Sequence, residues 1–166
     1  MRVLSLDYRR AMHAQECDEI PVVLVTITHA DLSEPIRLSS DATERLSVDP
    51  ITYGTVSNGD TFLYMLMSLN LPDDKEGEAL AGSLQIEDVE ADVGPLLAPI
   101  LSGIKITIQV TTAASPDLVQ IEYADLDVLS AQGAEGAITL SYGREDPSVW
   151  IIPGDAMTKD RFPGQF

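Results

Sequence analysis

The side chains that most often carry catalysis or bind metal ions are few in this chain and lie apart in the sequence. The two histidines, His13 and His29, have no carboxylate or thiol at a metal-ligand spacing, so we interpret both as structural. The single cysteine, Cys17, excludes an internal disulfide and any four-cysteine cluster within one chain, and we expect it to be a small buried apolar residue. The sequence therefore predicts neither a metal site nor a cofactor.

Carboxylate pairs and nucleophile motifs do not supply an active site either. Asp73-Asp74 and Glu87-Asp88 are neighbours in sequence, and neighbouring side chains on a turn or strand point apart, which makes poor acid–base pairs. Ser40-Asp41 has no histidine that the sequence places near it. EF-hand, dinucleotide-binding, Walker and nucleophile-elbow motifs are missing from the sequence. We therefore predict that the protein is not an enzyme. The alternative is a small hydrolase of cell-wall material. It would need His, Cys and Asp side chains arranged for catalysis, and no sequence pattern indicates such an arrangement.

Length and charge limit the class of protein further. A chain of 166 residues predicts one domain, with arms at most, and can bury a sizeable core. Ten Lys and Arg against 27 Asp and Glu give a net charge of −17, which argues against specific nucleic-acid binding and against docking on anionic membranes. Solubility explains this net negative charge as well as a specific functional role does. No apolar run reaches the length of about 18 residues that spans a membrane. The N-terminal residues lack a continuous apolar stretch of the signal-peptide kind, so we expect a cytosol-like compartment.

Hydrophobic periodicity predicts one helix followed by strands. Leu4, Tyr8 and Met12 follow helical spacing around the candidate N-cap Ser5, which predicts an amphipathic helix over about 5–16. Beyond it the period changes to two, and the clearest alternation, 104–110, predicts a half-buried strand. Further strands are predicted near 20–28, 34–40, 80–87, 119–123, 126–130 and 136–141.

Three segments before residue 70 are candidates for buried strands or for contacts with another surface. The strand at 20–28 is apolar on both faces, so its own core covers one face and a second surface the other, for which another subunit is a candidate. Residues 41–60 form a polar excursion with Pro50 and the turn dipeptide Asn58-Gly59, and we interpret it as a functional or mobile loop. Residues 62–69 fit a buried strand or a short helix, of which the aromatic pair favours the strand.

The last 25 residues differ in composition from the body. Prolines and glycines alternate there with large apolar side chains, which is typical of an arm that lies on another surface. Trp150, Phe162 and Phe166 are the predicted anchors, and the alternative is that the segment folds back on its own sheet. We thus predict a mainly-β protein, a β-sandwich or incomplete barrel with an N-terminal helix over 1–141, followed by an extended C-terminal arm over 142–166.

Several sequence blocks, in order and at the right spacing, resemble a known family over the whole chain. They are QECDEIPVVL at 15–24, HADLSEPIRL at 29–38, YG at 53–54, LPDD at 71–74 and RFPGQF at 161–166. This set resembles the bacteriophage and prophage tail proteins grouped as the domain of unknown function DUF1833. The layout is also similar to the N-terminal hub domain of tail-tip proteins. Some relatives of that hub carry an iron–sulfur cluster in a further domain. This chain lacks that domain and the cysteines that would bind the cluster, so the resemblance implies no cluster here.

The resemblance implies a structural protein in the tail tip or baseplate of a long-tailed, siphovirus-like phage, assembled in the host cytoplasm and present in the virion. Its implied partners are copies of itself in a three- or six-fold ring, and the tube or distal tail protein, the central hub and the tape measure. We expect Tyr53, within the 41–60 segment, to contact the next ring. The rival function is a receptor- or carbohydrate-binding module of the tail tip, which would need an exposed aromatic platform.

Overall fold

A computed structural model describes residues 4–17, 19–71, 81–87, 103–134 and 136–144. One helix and ten strands occur in this part of the chain. They are α1 Leu6–His13, β1 Pro21–Thr28, β2 Ile36–Ser39, β3 Glu44–Val48, β4 Ile51–Ser57, β5 Asp60–Tyr64, β6 Met67–Asn70, β7 Ala81–Glu87, β8 Lys105–Thr112, β9 Ile121–Ala134 and β10 Ala137–Gly143. The predicted mainly-β class with an N-terminal helix is confirmed.

All ten described strands belong to one sheet, in the order β3-β4-β5-β2-β1-β8-β9-β10-β7-β6. Neighbouring strands are antiparallel except β2 and β5, which run parallel and pair at only two positions, Leu38↔Leu63 and Ser39↔Tyr64. The sheet is open, with β3 and β6 at its edges. Of the two predicted architectures, a single open sheet corresponds to the incomplete barrel rather than to two stacked sheets.

Residues 60–70 curl the sheet by pairing with both of its halves. This segment pairs with β2 through β5 and with β7 through β6, on either side of the junction Met65-Leu66. The Met65 N–H donates to the Ser39 carbonyl at 3.0 Å, and the Leu66 carbonyl accepts from the Glu87 N–H at 2.9 Å. Because only two residues separate these pairings, β2 and β7 must approach each other around a common interior.

The main core fills that interior. Ile106 and Ile108 are fully buried on β8, whereas Lys105 is exposed, so the predicted alternation of this strand is confirmed. Burial of these apolar side chains is the principal driving force for the curled sheet. The buried cluster comprises Val25, Ile27, Leu38, Leu84, Ile86, Ile104, Ile106, Ile108, Tyr123, Leu126, Ile138, Leu140 and Tyr142.

Both faces of β1 are buried by the chain itself. Val25 and Ile27 lie in the main core, whereas Val22 and Leu24 on the opposite face form a smaller cluster with Phe62 of β5. The prediction that something covers the second face is therefore confirmed at these positions. Phe62 of β5 and Ala113 pack on this face, so no second subunit is needed to bury Val22 and Leu24.

The segment 41–60 is structured, so the predicted loop is wrong. It contains β3, β4 and the beginning of β5, which form two consecutive hairpins. The predicted Asn58-Gly59 turn is confirmed, since these residues have φ of 51° and 86°, the positive values that a type I′ turn requires. Periodicity did not predict β3 and β4, because short strands with polar residues on one face alternate over too few residues to be recognised.

Other boundaries also shift. The Ser5 side chain accepts from the Tyr8 N–H, which confirms the N-cap, but the helix ends at His13 rather than 16. Residues 121–134 form one long strand instead of two, with Asp125 at φ 53° where the register with β8 shifts. The strand β10 extends to Gly143, two residues beyond the limit predicted at 141. For 62–69 the strand interpretation is confirmed, yet most of its side chains are at least partly exposed.

Candidate functional site

The described residues do not bring a set of metal-binding side chains together. Among them, no group of three or more His, Cys, Asp or Glu side chains could hold a metal ion. His29 follows β1, and its Nδ1 accepts from the Asp31 N–H at 3.0 Å. Cys17 is exposed, so its predicted burial is wrong. It lies in the connection between α1 and β1, where its Sγ accepts from the Glu19 N–H at 3.3 Å.

The described structure instead exposes an apolar surface on the β3–β4–β5 ribbon. Val48, Ile51, Tyr53 and Tyr64 are exposed by 73%, 62%, 46% and 42%, and we call this set the hairpin strip. Val48 lies opposite Ile51, and the pair Gly54↔Leu63 places Tyr64 beside Tyr53 in the continuing register. Because side chains alternate along a strand, Ile51 and Tyr53 share one face. The predicted contact residue Tyr53 therefore lies between Ile51 and Tyr64 on this face, and Arg45 of β3 lies directly opposite it.

The same face of the ribbon is buried farther along β4. Thr55 and Ser57 are buried, and Phe62, which lies directly opposite Thr55, closes the small core against β1. Residues 51 and 53 continue this face beyond the part that β1 covers. The hairpin β3–β4 thus overhangs the body, and the strip is exposed because the body ends beneath it.

A hydroxyl network fixes the overhanging hairpin to β2. The Thr55 Oγ1 lies 2.8 Å from the Ser39 Oγ and 2.7 Å from the Thr43 Oγ1, and the Thr43 hydroxyl donates to an Asp41 carboxylate oxygen at 3.1 Å. Ser39 and Thr55 are fully buried. Buried hydroxyls that satisfy one another are costly to break, so β4 is held rigidly against β2.

The turn at the other end of β4 is fixed to the loop after β8. The Ser57 hydroxyl donates to the Pro116 carbonyl at 2.7 Å, and the Asn58 N–H donates to the Asp117 carboxylate at 2.6 Å. With the hydroxyl network, this contact anchors β4 at two separate points. The hairpin strip is therefore carried on a positioned platform rather than on a loose loop.

Local contacts also stiffen the hairpin itself. The Arg45 guanidinium donates to the carbonyls of Ser47 at 3.0 Å and Val48 at 3.3 Å. A Cβ at Gly54 would lie 2.7 Å from the Leu46 Cδ1 and would collide with the Phe62 carbonyl, so only glycine fits there. Glycine next to Tyr53 was therefore a sequence indicator of close strand packing, which the loop interpretation missed.

A groove of about 590 Å³ lies where β2 and β5 separate beyond their two paired positions. Its apolar lining includes Leu32, Leu63 and Met65, and an ion pair joins Arg37 to Asp60 at 3.0 Å. We call it the β2–β5 groove. Sequence reasoning missed it because a parallel pairing of two strands this far apart in the chain leaves no local pattern.

The predicted arm anchors Trp150, Phe162 and Phe166 lie outside the described residues and stay predictions. In the part of the chain that the structure describes, no helix is both long and apolar enough to cross a membrane. Comparison with known proteins finds no family model that matches this chain and no curated protein that matches it.

Proposed function

We propose that this chain is a structural subunit of the tail tip of a long-tailed bacteriophage, and that its copies form a ring linking the tail tube to the central hub. The sequence resemblance supplies the phage assignment. The observation that supports an assembly role is the hairpin strip, four exposed apolar side chains on one rigid overhang.

The arrangement of these side chains supports an assembly role more strongly than their number does. Single exposed apolar residues are ordinary on protein surfaces, whereas contiguous apolar patches mark interaction sites. Tyr53 and Tyr64 add large, rigid contact area with a polar hydroxyl at the rim, a composition that protein interfaces favour. The two anchors of β4 hold this surface in a fixed geometry, so little entropy is lost when a partner covers it.

The proposed partners follow from the same assignment. They are further copies in a three- or six-fold ring, the tube or distal tail protein, the central hub and the tape measure, and the proposed location is the virion tail tip. A density map of the tail tip, with the copy number of this chain in purified virions, tests the proposal. A ring subunit is stoichiometric with the tail tip. Absence of the chain from intact tails would reject the assignment.

Substitution of the hairpin strip tests the assembly surface itself. The double change Ile51→Ser and Tyr53→Ser should leave the circular dichroism spectrum unchanged and prevent incorporation into tails. Leu129→Ser is the matched control, because Leu129 is 58% exposed on β9, away from the strip. Normal incorporation of the double variant, or an equal loss with Leu129→Ser, would contradict the argument.

A receptor- or carbohydrate-binding module is the second candidate, and the same tyrosines favour it. Adjacent exposed aromatic rings offer a flat platform on which the apolar face of a sugar can stack. Titration of the purified chain with host-surface oligosaccharides, followed through Tyr53 and Tyr64 resonances in NMR spectra, separates the two functions. Saturable shifts in a monomeric chain would support the binding module over the ring subunit.

A further inference from the structure

We propose that Asn58 is a site of spontaneous deamidation, and that the modified turn between β4 and β5 detaches from the loop after β8. The reaction replaces the side-chain amide of Asn58 by a carboxylate, and water is its only other reactant. We call the contact of Ser57 and Asn58 with Pro116 and Asp117 the turn–loop contact. The inference concerns this contact within one chain, so it does not depend on the proposed ring function.

The turn presents the atoms that react. Asparagine is a thermolabile residue, and its amide reacts most readily where the next residue has no side chain to shield its backbone nitrogen. Gly59 follows Asn58, both residues are exposed, and a Cβ at Gly59 would meet nothing beyond its chain neighbours within 4 Å. Among the described residues, the Gly59 N–H donates to no partner. The nitrogen that attacks the amide is therefore accessible and free of a competing hydrogen bond.

The reaction is complete with the groups of this turn and water. The Gly59 backbone nitrogen forms a bond to the side-chain carbonyl carbon of Asn58 and gives up its proton. The bond from that carbon to Nδ2 breaks, and ammonia leaves with the proton. Water then opens the cyclic imide at one of its two carbonyls, which yields aspartate or isoaspartate in place of asparagine.

The turn–loop contact restrains the amide before it reacts. The Asn58 Nδ2 donates to the Asp117 carbonyl at 3.2 Å and to the Ser57 Oγ at 3.4 Å. The Asn58 N–H donates to the Asp117 carboxylate at 2.6 Å. Because these bonds hold both the backbone and the side chain of Asn58, the amide reacts when the contact opens. Loss of the Asp117 carboxylate should therefore speed the reaction.

The product cannot restore this contact. A carboxylate oxygen accepts hydrogen bonds and does not donate them, so an acceptor would replace Nδ2 at 3.2 Å from the Asp117 carbonyl oxygen. The new negative charge also belongs to the residue whose N–H binds the Asp117 carboxylate, and like charges repel at this range. Isoaspartate lengthens the main chain of a two-residue turn whose register is fixed by the pair Ser57↔Asp60. Both products thus weaken the turn–loop contact and leave β4 held by its hydroxyl network.

Ageing of the purified full-length chain at mildly alkaline pH, followed by peptide mass spectrometry, tests the modification. Asn58 and Asn70 are the only asparagines of the chain, and both belong to the tryptic peptide 46–75. Asn70 precedes a leucine and is the internal control. Deamidation should be at least several-fold faster at Asn58 than at Asn70. It should be faster again in Asp117→Ala than in Asp7→Ala, which makes the same charge change at an 87% exposed side chain.

Hydrogen exchange of the aged protein tests the structural consequence. Exchange in residues 55–60 and 115–118 should be several-fold faster in the deamidated fraction than in fresh protein, and Asn58→Asp should reproduce the change. Equal deamidation of the two asparagines would overturn the site. Unchanged exchange in the deamidated fraction would overturn the detachment. Equal rates in the two aspartate variants would overturn the role of the turn–loop contact in slowing the reaction.

Discussion

We expect the stability of this protein to fall at alkaline pH because of Tyr142, a buried tyrosine on β10, two strands in from the edge strand β6. The Tyr142 side chain is fully buried on β10, and its hydroxyl donates to the Asn70 carbonyl on β6 at 2.8 Å. This bond ties the edge strand to the main core. Burial, with a smaller contribution from the nearby Tyr123 hydroxyl, raises the pKa of Tyr142 from its usual 10.0 to about 12.

The direction of the effect follows from which state loses its proton first. In the unfolded chain Tyr142 ionises near its usual pKa, whereas in the folded protein it stays neutral until about pH 12. The unfolded state therefore binds fewer protons between these values, and the free energy of unfolding falls as the pH rises. The stabilisation is fully present below about pH 9 and is lost through pH 12, with a total of at most about 3 kcal/mol.

Urea unfolding from pH 8 to pH 11.5, followed by circular dichroism, measures this loss against Tyr142→Phe. At pH 8 the variant should be about 1–3 kcal/mol less stable, because the Asn70 carbonyl loses its partner. The difference should shrink or reverse as the pH rises, since phenylalanine cannot ionise. Tyr53→Phe, at an exposed position, is the control and should keep the wild-type pH dependence. An unchanged difference between wild type and Tyr142→Phe at every pH would refute the reasoning.

Three further predictions concern the core, the hairpin and the arm. Ile106→Ala should lower the free energy of unfolding by about 2–4 kcal/mol, because burial is lost and a cavity is left. Lys105→Ala, at the exposed neighbouring position, should change it by less than about 0.5 kcal/mol. Urea unfolding measures both, and equal effects would contradict the assigned faces of β8. Gly54→Ala should destabilise the hairpin, seen as faster hydrogen exchange in β3 and β4, and unchanged exchange would show that the strands can separate to admit a methyl group. Truncation before Trp150 should leave a folded, soluble chain that fails to enter tails, and unfolding would instead place that segment in the core.

Local physics made several features of this fold predictable from the sequence. The Ser5 cap, the Asn58-Gly59 turn and the alternation of 104–110 depend on backbone geometry and on which side chains avoid water within a few residues. Tyr53 was named as a contact candidate from the family resemblance rather than from local physics, and its role stays a prediction.

Only the tertiary structure decided which surfaces remain open. Thr55 and Tyr53 share one face of β4, yet Thr55 is buried and Tyr53 is exposed because the body lies beneath only part of the hairpin. The β2–β5 groove arises from a parallel pairing between strands more than twenty residues apart. Coverage of a surface depends on where distant segments come to lie, and periodicity reports the faces of an element but not what covers them.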